Sequence, residues 1–155
     1  MSAATGEAYA PLVAIRDLAV AFDGVKALHG IDLTIGRGEA VGLVGESGCG
    51  KSVTWLAALG LLPSKAQVTG SVTLEGRELL HAAPATLDTV RGGRIAMIFQ
   101  DPASALNPVI RLGKQVGEAL ALHRGLSGSA IRAEAKRLFD LVGIPDSQRR
   151  LDAFP

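Results

Sequence analysis

Apolar residues are spaced in two ways along the first hundred positions and in a third way after them. In residues 12–22, Leu12, Val13, Ile15, Leu18, Val20 and Phe22 alternate loosely with other residues and Asp23-Gly24 follows, which predicts a strand closed by a turn. Residues 31–35 alternate cleanly, Ile31, Leu33 and Ile35 against Asp32 and Thr34, as in a strand with one wet face. Val68, Gly70, Val72 and Leu74 repeat that pattern over residues 68–74. Residues 40–44 (Ala-Val-Gly-Leu-Val) and 94–99 (Arg-Ile-Ala-Met-Ile-Phe) differ, being apolar on both faces, and predict buried parallel strands. Residues 52–62 form an apolar run of helical length with Pro63 as its stop. After a loop with prolines at 102 and 108, Leu112, Val116 and Leu120 recur at helical spacing. A second helix starts near Ser129, with Ile131, Ala135, Leu138 and Val142 on one face, Gly143 as its C′ residue and Pro145 beyond. The first ten residues are small and polar without period, a loose tail. The chain reads as α/β through Phe99 and helical after it.

Composition narrows this only a little. A length of 155 residues suits one modest domain with one core, and 48% apolar against 20% charged residues excludes a disordered chain. A net charge of +1 excludes nucleic-acid binding driven by bulk charge, although the two halves differ in sign. Cys49 is the single cysteine, so no intrachain disulfide forms and a reducing compartment is expected. No apolar run approaches the length of a membrane span, and the N-terminus has neither the basic nor the apolar part of a secretory signal. These features describe a cytoplasmic domain free of membrane spans.

The chemistry concentrates between the first two-faced run and the first helix. Gly45-Glu46-Ser47-Gly48-Cys49-Gly50-Lys51-Ser52 fits G-x-x-x-x-G-K-[ST]. Glycines let the backbone curl so that N–H groups converge on an anion, and the helix starting near Lys51 aims its positive end at the same point. Lys51 can reach the β- and γ-phosphates of a nucleotide, and the Ser52 hydroxyl can ligate Mg²⁺. Glu46 and Ser47 act through their backbone. Cys49 is a small spacer, with a redox-sensitive thiol as the alternative.

The stretches Ala27-Leu28-His29-Gly30-Ile31-Asp32-Leu33-Thr34-Ile35 and Gly38-Glu39-Ala40-Val41-Gly42-Leu43-Val44-Gly45 resemble the approach to the Walker A loop of ATP-binding-cassette (ABC) ATPases. Ile98-Phe99-Gln100-Asp101-Pro102 resembles that family's Q-loop. The longer string FQDPASALNPVIRLGKQVGEAL, from Phe99 to Leu120, is similar to the subgroup that powers oligopeptide, dipeptide and nickel importers, as is the exit Gly50-Lys51-Ser52-Val53-Thr54. The resemblance covers residues 12–155. It implies a P-loop NTPase fold: a RecA-like core with an antiparallel β subdomain, and the start of an α-helical subdomain. The parts expected are a flexible tail over residues 1–11, a nucleotide-binding core over 12–99, and the Q-loop with a partial helical subdomain over 100–155.

By the same resemblance, residues 45–53 bind ATP, with Lys51 and Gln100 in catalytic roles. Ser52 and Gln100 would contact Mg²⁺, and Gln100 would position the attacking water. A neutral amide can do both. Phe22 falls where the family places an aromatic against adenine; core packing is its alternative role, and Tyr9 is a second candidate for the base. Val53 and Ala105 depart from commoner family residues without disturbing the assignment. The implied partners are integral-membrane permease subunits, a second ATPase subunit and, indirectly, an extracellular solute-binding protein, at the cytoplasmic face of a membrane and without nucleic acid. The signature LSGGQ does not appear: Leu126-Ser127-Gly128-Ser129 has Ser in the fourth place and reads as a linker capping the next helix. Nor does an apolar strand ending in Asp-Glu appear. The expectation is therefore the N-terminal part of a peptide-importing ATPase that binds ATP–Mg²⁺ without hydrolysing it alone. A nucleotide-binding regulatory short form and a non-transport ABC ATPase are the alternatives.

Overall fold

A computed structural model describes residues 10–99 and 105–155, which fall into two compact units, Met1–Arg91 and Gly92–Pro155. The first is built on a four-stranded antiparallel sheet in the order β2-β1-β3-β4: β1 Val13–Phe22, β2 Val25–Ile35, β3 Gln67–Leu74 and β4 Arg77–Glu78. β1 is an inner strand, flanked by β2 and β3. Val13 pairs with both Ile35 and Leu74, and Ala21 with both Lys26 and Gln67. The β1–β2 hairpin closes where the Asp-Gly signal predicts, with positive φ at Asp23 (47°) and Gly24 (83°), the requirement of a type I′ turn. A bulge at Arg16–Asp17 interrupts both ladders of β1. It explains Gly70 on β3, where a Cβ would lie 2.4 Å from the Asp17 carbonyl oxygen and φ is +105°.

Alternation along these strands decides which residues leave water. Ile15, Leu18, Val20, Leu28, Val72 and Leu79 are all buried to within 2% of complete. Each contributes on the order of 1.5–3 kcal/mol. Two helices add to this core: α1 Lys51–Ala58 through Ala57 and Ala58, and α2 Pro84–Val90 through Leu87 and Val90. α1 ends before Pro63, because Gly60 takes φ +61°. The Gly60 and Leu61 N–H groups then donate to Ala57 O (3.0 Å) and Leu56 O (2.8 Å), a Schellman closure. Arg91 finishes the end by donating to the carbonyls of Leu59 (2.9 Å) and Gly60 (3.0 Å).

Residues 40–44 do not form the buried parallel strand that their composition predicts. They belong to no ladder, with Val41 and Leu43 more than two-fifths exposed and Val44 at 94%. Residues 94–99 depart in the same way: Gly92 N–H donates to Ile95 O at 2.8 Å, and beyond that turn Ile98 is 97% exposed and Phe99 51%. A parallel strand is buried by its neighbours on either side, and among the described residues neither run has one.

The second unit is helical: α3 Leu112–Arg124, α4 Gly128–Leu141 and α5 Ser147–Arg150. Leu120, Ala135, Phe139 and Leu151 form its core, with Leu112, Val116, Ile131 and Leu138 packed against them. Ser127 is the N-cap residue of α4, which begins at Gly128, one residue before the expected start at Ser129, and Gly143 closes the helix with φ +77°. Val142, expected on the buried face, sits past the last helical residue and is 70% exposed; Phe139 takes the core position instead. Glu134 accepts hydrogen bonds from Arg137 (both 2.8 Å) and one from Arg124, and these cations hold its carboxyl down to about 2.

Candidate nucleotide-binding site

The loop of residues 45–50 leads straight into α1, with Gly50 as the N-cap residue at φ +97° and Gly48 at φ +80°. Gly50 is buried against β2, where a Cβ would sit 2.3 Å from Leu28 Cδ2 and 3.3 Å from Ala27 O. The sheet and the helix entrance can approach this closely only because that position lacks a side chain. Gly45 is similarly constrained from within the loop, since a Cβ there would lie 2.7 Å from Cys49 Sγ. Cys49 N–H closes the curl onto Glu46 O at 3.4 Å.

Lys51 is the first residue of α1, and its ammonium turns back over the loop. It donates to Gly45 O at 2.7 Å and Glu46 O at 2.6 Å and lies 3.4 Å from Cys49 Sγ. The cation is thus tethered at the loop rather than free in solvent. Ser52 is exposed in the first turn, and no side chain caps α1. The N–H groups of a first turn have no intrahelical partner, so the helix entrance presents donors and a positive dipole end beside the ammonium. Glu46, Ser47, Gly48 and Cys49 are exposed and Val53 is half-buried. The arrangement can hold a polyanion at a helix N-terminus with a lysine beside it. The exposed Ser52 hydroxyl suits a hard cation carried with that anion.

Two residues that the motif does not name support this geometry. Thr54, buried to 3%, donates its hydroxyl to Gly50 O at 3.1 Å and stiffens the first turn. Leu28 is the surface against which Gly50 packs. The Thr54 contact is signalled by the Val53-Thr54 exit of the motif, whereas the Leu28 contact joins residues 22 positions apart and has no local signal. Phe22 is half-buried at the tip of the β1–β2 hairpin, paired with Val25. Gln100 and Tyr9 lie outside the described residues. Among the described residues, no group of three or more His, Cys, Asp or Glu is placed to hold a metal ion, and no helix is long and apolar enough to cross a membrane.

Residues 28–154 match the sequence profile of the ABC transporter family. Curated relatives include the oligopeptide transport ATP-binding protein OppD of Mycobacterium tuberculosis, 49% identical over 150 residues, which make up 94% of this chain and 24% of that protein. OppD of Salmonella typhimurium is 42% identical over 93% of this chain and 44% of its own length, and OppD of Haemophilus influenzae 40% identical over 94% and 46%. The chain therefore spans between a quarter and somewhat under half of these relatives. A solved structure described as the ATP binding subunit of an ABC transporter matches the fold with a TM-score of 0.61 at 21% identity, over 93% of this chain and 54% of that one.

Proposed function

Because the chain belongs to the ABC transporter family, we propose that it is the ATP-binding part of an ATPase subunit that powers import of peptides or a related small solute. The observation that carries the reading is the Lys51 ammonium held over the loop carbonyls at the entrance of α1, with Gly50 seated on Leu28. Residues 45–53 bind the phosphates of ATP, Lys51 neutralises the β- and γ-phosphate charge, and Ser52 ligates Mg²⁺. Mg²⁺ supplies charge neutralisation of the phosphates. Gln100 carries the metal- and water-contacting role that the resemblance assigns, and Phe22 offers its ring to adenine.

Residues 12–99 act as the nucleotide-binding core and residues 100–155 as the Q-loop and the beginning of a helical subdomain. The partners are permease subunits in the membrane and a second ATPase subunit, placing the chain on the cytoplasmic face; a solute-binding protein takes part indirectly. This chain binds ATP–Mg²⁺ without turnover on its own. Titration of the full chain with a fluorescent ATP analogue tests the reading. Lys51→Ala should weaken binding by about 10- to 100-fold, the worth of charge-assisted hydrogen bonds. Unchanged affinity in that variant would overturn the assignment.

A further inference from the structure

α1 is fixed at both ends. At its start, Gly50 is seated on Leu28 and the Ala27 carbonyl, and the buried Thr54 hydroxyl donates back to Gly50 O at 3.1 Å. At its exit, Arg91 joins two elements. Its Nε donates to Leu59 O at 2.9 Å and its Nη2 to Gly60 O at 3.0 Å, while its backbone N–H donates to Leu87 O at 2.9 Å in the last turn of α2. Closing α1 does not need these two bonds, because the N–H groups of Gly60 and Leu61 already do that. Asp88 stands 3.5 Å from Nη1 and is 71% exposed, so the shorter bonds of the guanidinium both go to the exit of α1. Gly60 lets the two helix ends meet this closely, since a Cβ there would lie 3.0 Å from Leu87 Cδ1 and 3.1 Å from Arg91 Nη2.

We propose that Arg91 is a positioning residue for the anion site at the other end of α1: by tying the exit of the helix to α2, it fixes the direction in which the Lys51 ammonium and the first-turn N–H groups face. The inference rests on the nucleotide-binding reading and adds to it a residue at the opposite end of the helix from Lys51. α1 has eight residues, a rod about 12 Å long. Held only at Gly50, such a rod swings about that point, and a swing of about 10–20° takes its donors outside the tolerance of a productive site. No side chain caps the start of α1, so its direction is set by what holds the rest of it. The guanidinium also lies against the negative end of the helix dipole and favours the same orientation electrostatically. A lysine keeps the charge but cannot donate to two carbonyls as a planar fork, so it replaces Arg91 only in part.

The test is a double-mutant cycle on the full chain, titrated with a fluorescent ATP analogue and Mg²⁺ as wild type, Arg91→Ala, Lys51→Ala and the double variant. Arg91→Ala should weaken binding by about three- to tenfold, and Arg91→Lys by less. In the Lys51→Ala background the loss from Arg91→Ala should fall below about twofold, because Arg91 acts through the ammonium it aims. The same factor in both backgrounds, or no loss in Arg91→Ala, would overturn the proposal. An unchanged affinity in Lys51→Ala would instead overturn the nucleotide reading beneath it. NMR spectra of the labelled chain give a second readout in the gentler variant. In Arg91→Lys the amide signals of Lys51 and Ser52 should shift together with those of Leu59 and Gly60. Shifts that stop at residues 59–61 and 88–91 would show that the contact serves the exit of α1 alone, and would overturn the proposal as well.

Discussion

β1 and residues 40–44 are similar in composition and opposite in fate. Both are rich in Val, Leu and Ala, although β1 also carries Arg16 and Asp17, yet Leu18 and Val20 on β1 are buried to 0% and 1% exposure while Val44 is 94% exposed. What separates them is pairing. β1 has a strand on each side and two helices adding to its core, whereas residues 40–44 have no ladder partner among the described residues. An apolar run states a demand for burial, and only its neighbours supply it. The loop of residues 45–50 hangs between the two regimes: its entrance at Gly45 follows the unpaired run, and its exit at Gly50 is locked to β2 through Leu28.

The comparison breaks most directly at Leu18. Leu18→Ala should cost about 3–4 kcal/mol, the range for a fully buried leucine in a packed core, while Val44→Ala should stay within about 0.5 kcal/mol. Urea unfolding followed by the fluorescence of Trp55, the single tryptophan and half-buried on α1, reads both. Similar losses for the two variants would mean that residues 40–44 are buried in solution. Gly70→Ala comes next, at about 2–3 kcal/mol by the same assay. The new Cβ would meet the Asp17 and Arg16 carbonyl oxygens at 2.4 and 2.7 Å, and backbone at a bulge cannot yield as a side chain can. A neutral outcome would show that the bulge relaxes.

These two sites also mark what is legible from the residue order. β1, the Asp23-Gly24 turn, β3, α3 and α4 follow from local period and turn chemistry. The loop before α1 is legible too, because Gly45, Gly48, Gly50, Lys51 and Ser52 lie within eight consecutive residues. For the end of α1 Pro63 is the louder signal, although Gly60, three residues earlier, does the closing. The need for glycine at position 70 comes from the Arg16–Asp17 bulge across the ladder, which no local pattern announces. The hold of Arg91 on the carbonyls of Leu59 and Gly60 joins residues 31 and 32 positions apart, and no period announces it. Gln115 is a similar case: its amide accepts from Asn107 N–H (2.8 Å) and donates to Asn107 O (3.0 Å) and Ile110 O (2.7 Å), bracing a loop only once α3 is wound. The two-faced runs depart from their local pattern for a deeper reason, since the burial of such a run is decided by the strands beside it and not by its own residues.

The smallest expected effect concerns the opposite edge of the sheet, where a side chain stands in for a missing strand. Glu78, on the short edge strand β4, accepts from the N–H groups of Val72 (3.0 Å), Leu79 (3.0 Å) and Leu80 (2.8 Å) and from the Ser71 hydroxyl (2.5 Å). Desolvation pushes its pKa up, but these four donors together outweigh it and hold the carboxyl below its usual 4.5. A depressed folded pKa stabilises the fold above the unfolded value, and that contribution is lost as pH falls from about 4.5 through the lower folded value. Glu78→Gln keeps the shape and removes the charge, so it should cost about 1 kcal/mol near neutrality, discounted for exposure. The difference between wild-type and variant unfolding free energies should then shrink toward zero as pH drops below the usual carboxylate range. A difference that stays constant with pH would mean that the donors serve geometry alone, and that this edge is no better satisfied electrostatically than residues 40–44.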